Sequence, residues 1–136
     1  MTLAIAHAAI RRRLEKMWKY DVPIQYPAVK FSIPNKKSWL RMSINDAEAT
    51  WASFGVPFGN TERQFGQVMI QIFTLSGEGE GKAMDIADKL KKIYRSWEDC
   101  DSGVRFLVPP YTNQVGIDGR WYQVNFIAPF QFDNFN

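Results

Sequence analysis

Several groups of residues have types and spacing that invite chemistry, and each can be weighed on its own terms. Gly77-Glu78-Gly79-Glu80-Gly81-Lys82-Ala83 sets glycines and a lysine between a strand-like and a helix-like run, the setting of a phosphate-cradling loop. The pattern GxxxxGK[ST] would need Gly where Ser76 stands and Ser or Thr where Ala83 stands, and the two glutamates repel phosphate. The segment therefore reads as a strand-to-helix turn whose carboxylates complement the positive end of a helix dipole. His7 lies at the edge of an apolar helical stripe with no Cys, Ser or Asp nearby in sequence to make it a base. Cys100 sits between Asp99 and Asp101, whose charge disfavours the thiolate. Glu98, Asp99 and Asp101 read as a solvated turn after a helix rather than a metal or acid/base cluster. Arg11, Arg12, Arg13, Lys16 and Lys19 form a basic patch, but no strand carries aromatics flanked by basic residues, so specific nucleic-acid binding is not expected. Nucleophile, base and oxyanion roles are nowhere filled together, so the expectation is no catalytic residue, no metal, no cofactor and no enzyme.

The composition agrees. At 136 residues the chain has room for one core, residues 1–136 as a single domain. Its 17 Lys and Arg against 14 Asp and Glu give a net charge of +3, too small for a nucleic-acid-coating surface, and 46% hydrophobic residues exclude a disordered chain. A single Cys excludes an internal disulfide, and with a single His it excludes a Cys/His zinc cage within one chain. No apolar run approaches the ~20 residues that cross a bilayer, and Arg11–Arg13 follow the few apolar residues of the N-terminus, the reverse of a signal peptide. A soluble protein made in a cytoplasm, with no membrane partner, is expected. Ten Phe, five Trp and five Tyr are more flat apolar surface than so small a core absorbs, which points to an interface.

The elements that must position these residues follow from periodicity. Leu3, Ala6, His7, Ile10, Leu14, Met17 and Trp18 recur at helical spacing and predict a helix over about Thr2 to Lys19, with Thr2 as N-cap and Ile5 off the stripe, available to something beyond the core. Ala28 to Ile33 reads as a short strand, joined through Pro34-Asn35-Lys36-Lys37 to an antiparallel partner at Trp39 to Asn45. From Asp46 to Arg63 no period is visible, yet Trp51, Phe54 and Phe58 lie among small residues, so this stretch is expected to be an interaction loop. Gln64 to Leu75 has apolar residues on both faces and reads as a central strand. A second helix buries Ala83, Ile86, Ala87, Leu90, Ile93, Tyr94 and Trp97, with Asp85 and Lys89 paired on its exposed face. Val104 to Val108 and Thr112 to Ile117 read as β, then Asp118-Gly119 as a type I′ hairpin turn into Trp121 to Phe132, with Asp133 to Asn136 frayed. The fold class is α+β, two helices on a mixed, mainly antiparallel sheet.

The whole pattern resembles the phage tail terminator family, small proteins that cap the end of a growing siphovirus tail tube. The matching residues are Met17-Trp18 closing the first helix, Phe31 to Pro34, Trp39-Leu40-Arg41, Arg63 and Gly66 leading into Val68-Met69-Ile70-Gln71-Ile72-Phe73, Gly77 and Gly79 before Ala83, Ile86-Ala87-Asp88 and Leu90, then Gly119, Trp121-Tyr122-Gln123-Val124 and Pro129-Phe130. The acidic glycine turn, Glu78 and Glu80, departs from the pattern. The resemblance implies a homo-oligomeric ring, a hexamer in the best-known members, at the head-proximal end of the virion tail. Such a ring binds the last ring of tail tube protein, stops its polymerisation and offers its other surface to a head completion or connector protein, with DNA free to pass through. A head-closure or connector adaptor of the phage neck is the alternative of similar size. A closed ring needs two different patches on each subunit. The expected patches are the loop at 46–63, with Trp51, Phe54, Phe58 and Arg63, and the outer face of the last strand, with Trp121 and Ile127.

Overall fold

A computed structural model describes residues 3–51 and 61–135. Helix α1, Leu3–Met17, buries Ala6, Ala9, Ile10 and Leu14, while Leu3 and Met17 overhang the core at its two ends and are largely exposed. Ile5 is exposed, as its place off the stripe requires. Thr2 lies outside the described residues. The chain then forms a two-residue strand β1, Ile24–Gln25, parallel to β2, Trp39–Trp51, through Ile24↔Leu40 and Gln25↔Arg41. This corrects the expected hairpin: Ala28 to Ile33 is not a strand. The Leu40 amide donates to the Pro23 carbonyl at 2.9 Å, so β1 already occupies the edge such a strand would need. Pro27 lacks a donor, and Ala28, at φ +59°, turns the chain out of any extended path.

Strand β2 is antiparallel to β3, Thr61–Leu75, from Trp39↔Phe73 to Trp51↔Glu62, with a bulge between Asp46 and Ala49. The stretch from Asp46 to Arg63 is therefore not one long loop, because Asp46 to Trp51 and Thr61 to Arg63 continue the two strands. Phe54 and Phe58 lie outside the described residues. After the Gly77–Glu80 turn, α2, Gly81–Tyr94, buries Ala83, Ile86, Ala87, Leu90, Ile93 and Tyr94. It stops short of Trp97 because Arg95 is extended and Ser96 adopts φ +57°, yet the Trp97 ring still lies 5.8 Å from that of Phe106. Asp85 and Lys89 pair at 2.9 Å on the exposed face as their spacing predicts.

Val104 to Val108 is not a strand. Only Arg105 bridges, to Glu98 and Gln131, while Val104 and Phe106 insert into the core, which is why the run is apolar. Strands β4, Tyr111–Asp118, and β5, Trp121–Phe135, form the expected hairpin, but its central residues are Gly119 and Arg120. Gly119 has φ +62° and Arg120 has no positive φ, the type II′ pattern rather than I′. The tail is not frayed at Asp133, since Asp133 pairs with Arg63 and Phe135 with Thr61.

The sheet order is β1-β2-β3-β5-β4, antiparallel except for β1, with β3 in the middle as its two apolar faces require. Both helices lie on one face, over Leu40, Met42, Val68, Ile70, Ile72, Val124, Phe126, Ala128, Phe130 and Phe132. Tyr94 donates from its hydroxyl to the Ile10 carbonyl at 3.0 Å and so joins the helices inside the core, and burial pushes that phenol far above its ordinary pKa. The architecture is α+β.

Candidate functional site

Of the groups that invited chemistry in the sequence, the fold brings together only the basic patch and the acidic run, at one shared recess. His7 is half-exposed, with Nε2 at 3.0 Å from Asp46 Oδ1, and ties α1 to β2. Asp99 accepts from the Ser102 hydroxyl at 2.5 Å and from its amide at 3.2 Å, which makes the acidic run a closed turn, and Cys100 is exposed on it. Glu80 caps α2 through no side-chain bond; it accepts instead from Gln114 at 3.3 Å. The recess beside Arg12, Arg13 and Lys16 also holds Asp99 and Asp101, so its charge is mixed rather than uniformly basic. Among the described residues, no group of three or more His, Cys, Asp or Glu side chains could hold a metal, and no helix is long and apolar enough to cross a membrane.

What the fold leaves exposed is aromatic and apolar surface at Trp51 and beside β4. The distal halves of β2, β3 and β5 form a three-stranded arm, in which Arg63 lies between Thr50 and Asp133. Arg63 Nε donates to Asp133 Oδ1 at 2.8 Å, and Arg105 reaches Asp133 Oδ2 at 3.3 Å. The Arg63 hydrogen bond, together with the nearby guanidinium charges, holds the Asp133 carboxyl below its ordinary pKa, and the same bond raises Arg63. Arg63, an expected interface residue, thus has a partner within its own subunit. Trp51, at the end of β2, is 50% exposed and has the side-chain surface a partner could cover.

On the sheet face away from the helices, alternation brings Trp39, Phe73 and Trp121 together. Trp39 stacks on Phe73 at 4.2 Å and on Phe31 at 5.6 Å, meets the edge of Trp121 at 6.1 Å, and has the Arg41 guanidinium 5.1 Å above its ring. Trp121 is half-buried in this cluster, and Ile127, level with Met69 and Tyr111, is 7% exposed and offers little side-chain surface. Periodicity could not show that a sheet face without helices would core itself with aromatics.

A third surface was not singled out from the sequence. Leu107, Val108, Tyr111, Val115 and Ile117 are each at least half exposed along and beside β4. The signal was an eight-residue β run with no Lys, Arg or Pro, but nothing in the sequence says that this run is a sheet edge.

Compared with known proteins, the chain matches the family model of the phage tail terminator protein over residues 5–126. It belongs to the phage tail terminator family. A structural role in the phage tail follows, and with it a place in the virion. No curated protein matches the chain. A solved structure is similar to this protein over 100% of the chain and 99% of its own length, with a TM-score of 0.74 and 17% identity, which supports the fold alone.

Proposed function

We propose that the protein closes into a ring of identical subunits, a hexamer, on the last ring of the tail tube. There it stops tube polymerisation and presents its opposite surface to a head completion or connector protein, at the head-proximal end of the tail. The observation that carries this reading is the family match over residues 5–126. The exposed Trp51 at the end of the arm and the exposed apolar residues around β4 support it, because a ring needs two unlike patches on each subunit. Trp51 and Trp121, with Phe54 and Phe58, are the aromatics proposed to be covered by partners. Arg63 and Ile127 support the same surfaces from within the sheet, Arg63 beside Thr50 next to Trp51 and Ile127 beside Tyr111 of β4. Capping requires shape and complementary surface rather than a reacting group, and DNA passes through the ring without being read.

The test mixes the purified protein with polymerising tail tube subunits and measures tube length by electron microscopy. Short tubes with a ring at one end are expected. Unchanged lengths with bare ends would overturn the proposal, and attachment to the head connector in place of the tube would favour a neck adaptor.

A further inference from the structure

We infer that the ring closes by sheet continuation, with β4 of one subunit adding as an antiparallel strand to the free edge of β2 in the next copy of this chain. The inference rests on the ring reading and names the surfaces that make it.

Among the described residues, strand β4 pairs only with β5, so half of its backbone N–H and C=O groups face outward along an eight-residue edge. Edge strands are ordinarily protected by lysine, proline or shortness, and the sequence YTNQVGID has none of these. Its single irregularity is the bulge between Gln114 and Gly116. Apolar side chains line it instead, with Val115 56% and Ile117 69% exposed. At the other end of the sheet, β1 covers β2 only at Leu40 and Arg41, and from Met42 to Trp51 no described residue pairs with the outer edge of β2. Two open edges of similar length therefore flank one sheet.

Their directions suit a ring. β2 and β5 run one way, β3 and β4 the other, so a rotation that carries one subunit onto the next sets β4 against an oppositely directed β2 and extends the antiparallel alternation without a break. Their levels suit it as well. Through Tyr111↔Ile127↔Met69↔Ser43 and Asn113↔Asn125↔Gln71↔Arg41, β4 lies level with the half of β2 that β1 covers, and the free half of β2 lies further along. Bringing the two edges together needs a slide of about six residues, roughly 20 Å along the strands, for about 19 Å across four strand spacings. That ratio is a strand tilt of about 45°, close to the tilt at which sheets close on themselves. Main-chain bonds supply the affinity of such an addition, and flanking side chains set its register.

The test uses full-length protein assembled on tail tubes, in a Cys100→Ser background because Cys100 is exposed. Asn45→Cys combined with Val115→Cys, treated with a short bismaleimide, is expected to give a ladder of covalent multimers, while each single variant gives none. Dimers from Val115→Cys alone would show β4 pairing with β4 and overturn the inference. Capped tubes without any ladder would overturn it too, and would leave the capping function standing. Tubes that acquire no cap at all would remove both. As a second variant, Val115→Lys with Ile117→Lys protects the edge and should keep the monomer's melting temperature while abolishing ring formation; capping by that variant as by the parent protein would overturn the inference.

Discussion

Asp133 holds the C-terminal end of β5 to the arm, and its acidity makes that clasp pH-dependent. Its carboxyl is held below the ordinary range by the Arg63 hydrogen bond first and by the Arg63 and Arg105 charges after it. A depressed carboxyl contributes stability above its unfolded pKa of about 3.9 and loses it as pH falls through the folded value. Asp133→Asn should therefore melt below the parent protein at neutral pH, with the gap closing below about pH 4, as thermal melts across that range would show. Gly66 is a second single-residue constraint. A Cβ there would stand 2.6 Å from Phe130 Cζ and 3.0 Å from the Asn45 carbonyl, and the Phe130 ring is buried. Gly66→Ala is expected to cost about 1–3 kcal/mol in chemical denaturation, the range for overpacking. Glu78→Gln with Glu80→Gln should cost less than about 1 kcal/mol, since Glu80 makes no side-chain cap bond and only the dipole interaction and exposed pairs are lost. A specific nucleotide-induced rise in melting temperature that this double variant abolished would contradict the reading of the glycine turn.

Among the elements, the two ends of β2 behave oppositely. Trp39, 2% exposed in the aromatic cluster, anchors the strand, and Trp39→Ala should cost about 3–5 kcal/mol. Trp51 ends the same strand half exposed, and Trp51→Ser should leave the melting temperature within a few degrees while weakening capping; circular dichroism melts and tube assays on one preparation separate the two effects. The positions of α1, α2, β3 and β5 were legible in the sequence because each keeps one period over a long run. The arm was not, because the bulge between Asp46 and Ala49 shifts the alternation of β2 where a period would have shown it. β1 was invisible at two residues between prolines, and its parallel pairing displaced the hairpin that Pro34 to Lys37 suggested. Val104 and Phe106 are apolar because they plug the core, not because they form a strand. Of the expected interface residues, Trp51 stands out from the fold. Arg63 is engaged by Asp133 across the sheet, a partner seventy positions away that no local pattern could reveal.

At the scale of the whole molecule, one sheet carries helices on a single face, and among the described residues nothing pairs with the outer side of β4 or of β2 beyond Arg41. On the ring reading proposed above, both flanks would be covered by copies of the same chain. The family match places the protein in the phage tail, and the ring at the tube end is the proposal to be tested. The most direct measurement of this role is the length of tails, by electron microscopy, in particles produced by a phage from which the gene for this protein has been deleted. Tails of uncontrolled length that fail to join filled heads are expected, restored to uniform length when the protein is supplied from a plasmid. Tails of normal length joined to filled heads in its absence would contradict the proposed role.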